Sequence, residues 1–210
     1  MSGPAGTPAL AHEEAHKDYE GGKLGMWLFL FTEILLFGGL FILYSAYRSR
    51  YPVEFHEGGR HLNLLIGVGN TLILLTSSLT VALSITAIQK GNRKLSALCL
   101  SATIILGAAF LMNKYIEWSG EIRRGLYPNS PLLAERPKGE QIFFGLYYSM
   151  TGLHGLHVLA GITVLSIMLL FLARGKISSS DFNRLENGGL YWHLVDVIWI
   201  FLLPLFYLAA

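Results

Sequence analysis

The sequence predicts an all-α integral membrane protein whose five transmembrane helices form one bundle. Hydrophobic residues are 52% of its 210 residues and charged residues only 14%, whereas an average soluble domain has roughly 25% charged residues. That is too little charge to cover a water-exposed surface. Five apolar stretches are each long enough to cross a bilayer, because about 20 residues at ~1.5 Å each match a hydrocarbon core of ~30 Å.

Charge and cysteine content exclude several classes of protein. The chain has 16 Lys and Arg against 14 Asp and Glu, a net charge of +2, and these residues are spread through the loops instead of forming a basic patch. We therefore expect no binding to nucleic acid. The single cysteine, Cys99, allows neither an internal disulfide nor a cysteine metal cluster. Redox chemistry would need haem or another subunit.

Residues 1–24 precede the first apolar stretch and lack the basic start and short apolar core of a secretory signal, so no cleavage is predicted. Span I, 26–47, follows and contains one charged residue, Glu33. Span II, 62–88, contains none and is apolar on every side, which is typical of a helix that is buried or faces lipid. Its small and polar residues suit close helix contacts: Asn70, Thr71, Thr76, Ser77 and Ser78.

Span III, 95–118, is uncharged until Lys114 and Glu117 near its end. These two residues can pair at i,i+3 or extend their charged ends towards the membrane surface. The loops between spans are short. The longest, 119–141, leaves no room for a soluble domain.

Span IV, 142–173, contains His154 and His157 within the segment TGLHGLHV. The two histidines share a helix face, and the glycines let another helix or a lipid chain come close. Together with His193 of span V they are too few for the metal centres of a haem-copper catalytic subunit. A single bis-histidine haem, formed by His193 with His154 or His157, stays possible on number alone; hydrogen-bonded packing is the alternative.

Span V, 188–210, contains His193 and, three residues later on the same face, Asp196, so the two can pair. Each ionisable group inside a membrane costs about 3 kcal/mol on insertion scales and needs a partner or a purpose. For Asp196 we expect a buried hydrogen bond that locks span V to a neighbour.

Glu33 has no obvious partner within span I, and an unpaired carboxyl in hydrocarbon stays protonated because charge is costly there. It can therefore be a packing hydrogen-bond donor, a contact to a lipid headgroup or a proton-exchanging site. Spans I and V run in the same direction, so Glu33 and Asp196 are expected at similar depths. The positive-inside rule does not orient the chain, since eight Lys and Arg lie on the side of the amino terminus and seven on the other.

Segments of all five spans, in order, resemble haem-copper oxidase subunit III in its bacterial five-helix form, similar to cytochrome c oxidase subunit III. Residues 24–37, LGMWLFLFTEILLF, resemble the family's opening helix; residues 70–78, NTLILLTSS, resemble its asparagine–threonine and serine helix; and residues 116–118, IEW, resemble the end of its glutamate–aromatic helix. Residues 151–158 are similar to its TGFHGLHV segment, and residues 186–199, ENGGLYWHLVDVIW, to its E-x-G-x-x-YWHFVDVVW closing helix.

The resemblance implies a subunit without catalytic residues that packs beside oxidase subunit I and other subunits, contacts membrane lipids and supports proton uptake during oxygen reduction. Haems and copper are then expected in the partner subunits, with no metal or other cofactor held by this chain and phospholipid as a possible ligand. Glu33 corresponds to a buried carboxyl implicated in proton delivery and in reaction with carbodiimide. The candidate packing or lipid-contact residues are Asn70, Glu117, His154, His157, Glu186, His193 and Asp196.

The family's topology implies a bacterial inner-membrane protein with residues 1–24 in the cytoplasm, a five-helix transmembrane domain at 25–210, and a periplasmic carboxyl terminus. Longer members of the family have two further helices at the start, so the resemblance leaves open whether the lipid cleft is kept. Two alternatives within this fold are a quinol oxidase subunit III and a subunit III-like protein associated with nitric oxide reductase. From another class, a stand-alone membrane cytochrome b or transporter also stays open.

Overall fold

The computed structural model describes residues 8–179 and 181–208, and this part of the chain consists of helices joined by short turns. The helices are Pro8–Arg50 (α1), Pro52–Arg60 (α2), Leu64–Gln89 (α3), Arg93–Arg123 (α4), Pro131–Ala134 (α5), Lys138–Ala173 (α6) and Asn183–Leu203 (α7), followed by a π-helical turn, Pro204–Leu208.

Five helical stretches are long and apolar enough to cross a membrane, which confirms the predicted fold class. Spans I to V are Gly21–Arg50, Leu64–Gln89, Arg93–Arg123, Lys138–Ala173 and Asn183–Leu208. They alternate in direction. We call the side at which spans I, III and V begin the amino-terminal side of the bundle, and the other the far side.

The spans extend beyond the predicted apolar runs by as many as five residues, because polar turns continue the helices past the hydrocarbon. Asn92 caps span III by accepting a hydrogen bond from the Leu95 backbone N–H at 3.1 Å, and Asn63 caps span II in the same way. Hydropathy does not register such caps. Helix α1 continues span I back to Pro8. Residues 1–7 of the predicted cytoplasmic segment, and residues 209 and 210 of predicted span V, lie outside the described residues. The predicted boundary at residue 24 stays a prediction.

Spans II and III form a closely packed antiparallel hairpin. Three fully buried polar residues of span II, Asn70, Ser77 and Ser84, recur every seven residues along the contact. Ser84 bonds to Ser96 of span III, and the Asn113 side-chain amide donates to Asn70 Oδ1 at 3.0 Å. Small polar residues allow close helix approach and satisfy each other in hydrocarbon, as predicted for span II.

Span V has the largest buried share among the five described spans and contacts spans I, II and IV. Its Trp192 and Trp199 are fully buried, and each indole N–H donates to span II, to Ser77 Oγ and Thr71 Oγ1 respectively, both at 3.0 Å. These bonds fix the depth and rotation of span V relative to span II.

Span I lies at the edge of the bundle against spans IV and V, and most of its side chains are exposed. Its far end is held by Tyr44, whose hydroxyl donates to the Leu205 carbonyl and whose ring packs edge-on against Phe55 of α2. Span I therefore packs through few side chains, chiefly Leu30, Phe37 and Tyr44, and most of its length is exposed.

Candidate functional site

Glu33 meets a histidine from a different span. The Glu33 Oε2 atom lies 2.8 Å from His157 Nε2 of span IV, and the two side chains are only 13% and 17% exposed. Sequence reasoning left Glu33 without a partner and placed His157 among packing residues. The structure brings the two together near the middle of spans I and IV.

The second ring nitrogen of His157 determines how protons are shared in this pair. Nδ1 lies 2.8 Å from the Leu153 backbone carbonyl, which can only accept a hydrogen bond, so Nδ1 bears a hydrogen. In a neutral imidazole Nε2 is then a bare acceptor. A hydrogen bond across the 2.8 Å contact would need one proton, either on a carboxylic acid that donates to Nε2 or on an imidazolium that donates to a carboxylate. In both forms the pair has no net charge.

The surroundings of the pair are apolar and aromatic. The Phe37 ring packs edge-on against His157, with centroids 5.4 Å apart. The Tyr191 hydroxyl donates to the His157 backbone carbonyl at 3.0 Å. A net charge placed on the pair would be poorly solvated among these side chains.

A cavity of about 430 Å³ between spans I, IV and V leads from the amino-terminal side towards Tyr191. Arg184 and Asn187 contribute polar groups to its wall, and Met26, Phe29 and Val164 are among its apolar lining residues.

Lys114 and Glu117 pair at 2.9 Å, which confirms the i,i+3 alternative. The Lys114 ammonium also donates to the hydroxyls of Tyr147 and Tyr207, both at 3.0 Å, and Tyr207 donates to Glu117 Oε1 at 2.5 Å. The three ammonium donors are thus all used. This satisfied cluster joins spans III, IV and V on the far side.

His193 does not bond to Asp196 as the spacing allowed. Its Nδ1 lies 2.6 Å from Ser78 Oγ of span II, and neither carboxyl oxygen of Asp196 has a hydrogen-bond partner among the described residues. Ser78 of the neighbouring span, and not Asp196, is therefore the partner of His193. Ser78 was predicted to lie at a helix contact of span II, but nothing in the sequence indicated its bond to His193.

The other histidine of span IV, His154, is fully buried between the rings of Phe110 and Trp199, at centroid distances of 5.4 and 5.3 Å. Among residues 8–179 and 181–208, no three or more His, Cys, Asp or Glu side chains come together as a metal site would need. Because Glu33 and Leu153 contact both ring nitrogens of His157, that histidine has no free nitrogen for a haem iron.

The remaining candidates lie apart from the Glu33–His157 pair. Asn70 accepts from Asn113 within the hairpin of spans II and III. Glu186 Oε2 lies 3.5 Å from Lys23 Nζ at the amino-terminal side, where it links spans V and I.

Comparison with known proteins gives consistent matches. A family model described as cytochrome c oxidase subunit III matches residues 8–210. The chain is 32% identical over 203 residues to cytochrome c oxidase subunit 3 of Thermostichus vulcanus, covering 96% of this chain and 94% of that protein. It is 27% identical over 203 residues to cytochrome bo(3) ubiquinol oxidase subunit 3 of Pseudomonas aeruginosa, covering 96% and 92%. It is also 27% identical over 199 residues to haem-copper oxidase subunit I+III of Aeropyrum pernix, covering 89% of this chain and 22% of that longer protein.

Proposed function

The chain belongs to the cytochrome c oxidase subunit III family, and we propose that it is an oxidase subunit without catalytic residues that stabilises subunit I and supports proton uptake. The observation that carries the proton role is the 2.8 Å contact between Glu33 and His157. Two ionisable groups of different spans share one proton there, at a depth where a lone charge is costly.

The chemistry of the pair suits temporary storage of a proton. With one proton the pair is neutral; adding or removing one leaves a charge among Phe37, Tyr191 and other apolar side chains. Because either change leaves a charge, the pair should release its proton most easily when two events coincide. A neighbouring base accepts the proton, and water provides a new one to the pair. Because Nδ1 of His157 is held by Leu153, exchange takes place at Nε2 and at the Glu33 carboxyl.

The position of the cavity between spans I, IV and V supports a supply of protons from the amino-terminal side of the bundle. The cavity of about 430 Å³ reaches Tyr191, and span I, which forms one wall, is loosely packed. Small movements of span I would let water reach Glu33. The apolar lining with Arg184 near it also suits a phospholipid, whose phosphate would bond to the guanidinium while a chain lies against Phe29 and Val164.

The partner proposed first is oxidase subunit I, since a relative bears the name subunit I+III and matches this chain over 22% of its own length. Other oxidase subunits and membrane lipids are further partners, and haems and copper belong to the partner subunits. We place the chain in the bacterial inner membrane with residues 1–24 in the cytoplasm and the carboxyl terminus in the periplasm, following the family's topology.

The other candidate residues receive packing roles. Asn70, Glu117, His193 and Asp196 lie at contacts between spans, and His154 fills an aromatic pocket. Their proposed contribution is to hold the spans in register, with Glu186 acting at the membrane surface beside Lys23.

The proton role is tested in the purified oxidase complex with Glu33→Gln, which keeps shape and hydrogen-bonding capacity but cannot release a proton. We expect normal haem content and subunit composition, with oxygen consumption that falls below the parent mainly at alkaline pH, where protons are scarce.

Thr32→Val is the matched control, because Thr32 is the exposed neighbour of Glu33 and its hydroxyl already donates to the Phe29 carbonyl. This variant should match the parent at every pH. If Glu33→Gln also matches the parent at every pH, the pair has only a structural role and the proton proposal is wrong.

A quinol oxidase subunit III is the second candidate, favoured by the 27% identity to the ubiquinol oxidase subunit over 96% of this chain. The electron donor of the purified complex decides between the two. Oxidation of a quinol without cytochrome c would favour this second candidate, and oxidation of reduced cytochrome c would favour the first.

A further inference from the structure

One side of the bundle is formed by span V with spans I and II on either side of it. Span V presents His193, Val197, Ile200 and Phe201 here, at helical spacings of one and two turns; we call these four residues the span V face. Val197, Ile200 and Phe201 are 46%, 42% and 55% exposed. Beside them, an apolar cavity of about 330 Å³ separates span V from span I, lined in part by Phe37 and Phe41.

His193 distinguishes this face from an ordinary lipid-facing surface. It lies near the middle of Asn183–Leu208 and is half-buried. Its Nδ1 bonds to Ser78, but its Nε2 has no hydrogen-bond partner among the described residues. Lipid chains cannot supply one, and an unsatisfied polar group in hydrocarbon is costly.

Other exposed polar side chains of the neighbouring span II do not need an outside partner. The Thr76 hydroxyl donates to the Leu72 carbonyl at 2.7 Å, and the Thr86 hydroxyl to the Ala82 carbonyl at 3.0 Å. Span III, in contrast, exposes a strip that is apolar at Leu98, Ile105 and Met112, which are 67%, 67% and 60% exposed. That strip suits lipid chains.

We propose that the span V face docks a transmembrane helix of subunit I, and that this helix provides a hydrogen-bonding side chain to His193 Nε2. The inference rests on the proposed function, which supplies the partner, and adds the surface and the contact. The docking helix has a polar residue level with His193 and apolar residues one and two turns nearer the far side, where it meets Val197, Ile200 and Phe201. Glu33 then lies close to the interface, since Phe37 lines the adjoining cavity and packs against His157.

The surface is tested by placing a photo-crosslinking amino acid at Val197 or Ile200 in the full-length chain within native membranes, with Ile105 and Met112 of span III as matched controls. We expect a cross-link from the span V positions to a haem-containing subunit, and none from span III. Cross-links from span III alone would overturn the proposal. If haem does not co-purify with the chain at all, the proposed function itself is wrong; if haem co-purifies but the span V positions give no cross-link, only the docking surface is wrong.

The hydrogen bond is tested with two variants of His193. Glutamine places its terminal amide near the position of Nε2, whereas asparagine places its amide near Nδ1 and keeps only the bond to Ser78. We expect His193→Gln to retain the partner, and His193→Asn to weaken its binding about threefold, the effect of an average interhelical hydrogen bond, measured as haem retained per chain during detergent titration. If His193→Asn retains haem as the parent does and His193→Gln does not, the role of His193 is internal packing and the proposed contact is wrong.

Discussion

Trp192 provides a sharp test of how span V is fixed, because two glycines contact its ring from neighbouring spans. A Cβ atom added to Gly107 of span III would lie 2.6 Å from the ring, and one added to Gly161 of span IV would lie 2.7 Å from it. The indole is fully buried and its N–H is bonded to Ser77. If a methyl group were added at Gly107, the ring could move away only by breaking its bond to Ser77 or by colliding with the backbone at Gly161.

We expect Gly107→Ala to destabilise the chain by about 1–3 kcal/mol, the cost of one extra methyl group in a well-packed core. For a chain of this size, 2 kcal/mol corresponds to roughly 4–8 °C in the midpoint of thermal unfolding. The measurement is the unfolding of the purified complex in mild detergent. Gly145→Ala is the matched control, since Gly145 of span IV has no atom within 4 Å of an added Cβ. Its midpoint should be unchanged or higher, because alanine favours helix.

A second variant tests whether the Trp192 ring causes the loss of stability in Gly107→Ala. Trp192→Phe shortens the ring and should partly relieve Gly107→Ala, so the double variant should be more stable than the sum of the two single effects predicts. If the effects are additive, or if Gly107→Ala and Gly145→Ala unfold at the same temperature, the ring is not held as described and this reasoning is refuted.

Three further outcomes are expected. His154→Gln should leave the haem spectrum of the oxidase unchanged and cost about 1 kcal/mol of stability through lost ring packing; loss of a haem band would contradict the packing role. Lys114→Met should cost about 3–5 kcal/mol because it leaves Glu117 as an unpaired buried charge, and adding Glu117→Gln should restore part of it, as thermal unfolding would show. Burial, and then the nearby Arg136, lower the pKa of His61 below 6.5 on the far side. The unfolded chain therefore binds a proton more readily, and stability should begin to fall as pH drops below 6.5 and continue to fall until pH passes the lowered pKa. His61→Gln should unfold with less dependence on acidic pH than the parent; an equal dependence would show that His61 does not contribute.

The spans and the contacts within one helix could be predicted from the sequence, because both follow from hydropathy and helical spacing. The pairing of Lys114 with Glu117 is an example: i,i+3 spacing places the two groups on one face whatever surrounds them. The same rule allowed a bond between His193 and Asp196 that does not form, since His193 bonds to Ser78 of another span instead. Spacing within a helix does not include competitors from neighbouring helices.

The Glu33–His157 pair depends on the depth and rotation of two spans that are far apart in the chain, which no local pattern contains. One signal was available: Glu33 is the only charged residue of predicted span I, 26–47, and His154 and His157 are the only histidines or charged residues of predicted span IV, 142–173. Because an ionisable group in hydrocarbon needs a partner, pairing between these spans was a possible inference. Which histidine forms the pair follows from packing, since His154 is enclosed by Phe110 and Trp199.

The distribution of packing across the bundle links the pair to its proposed work. Spans II, III and V are joined by buried hydrogen bonds at Asn70, Ser77 and Ser84, which hold them rigidly. Span I has no such ladder, and its polar contacts with the other spans include Tyr44 at the far end, Lys23 at the near end and Glu33 between them. A proton shared by two rigid spans would be closed off from water. In the proposed role, a proton shared between span IV and the loosely packed span I can exchange with water whenever span I moves away. The Glu33–His157 contact then returns span I to span IV after the exchange.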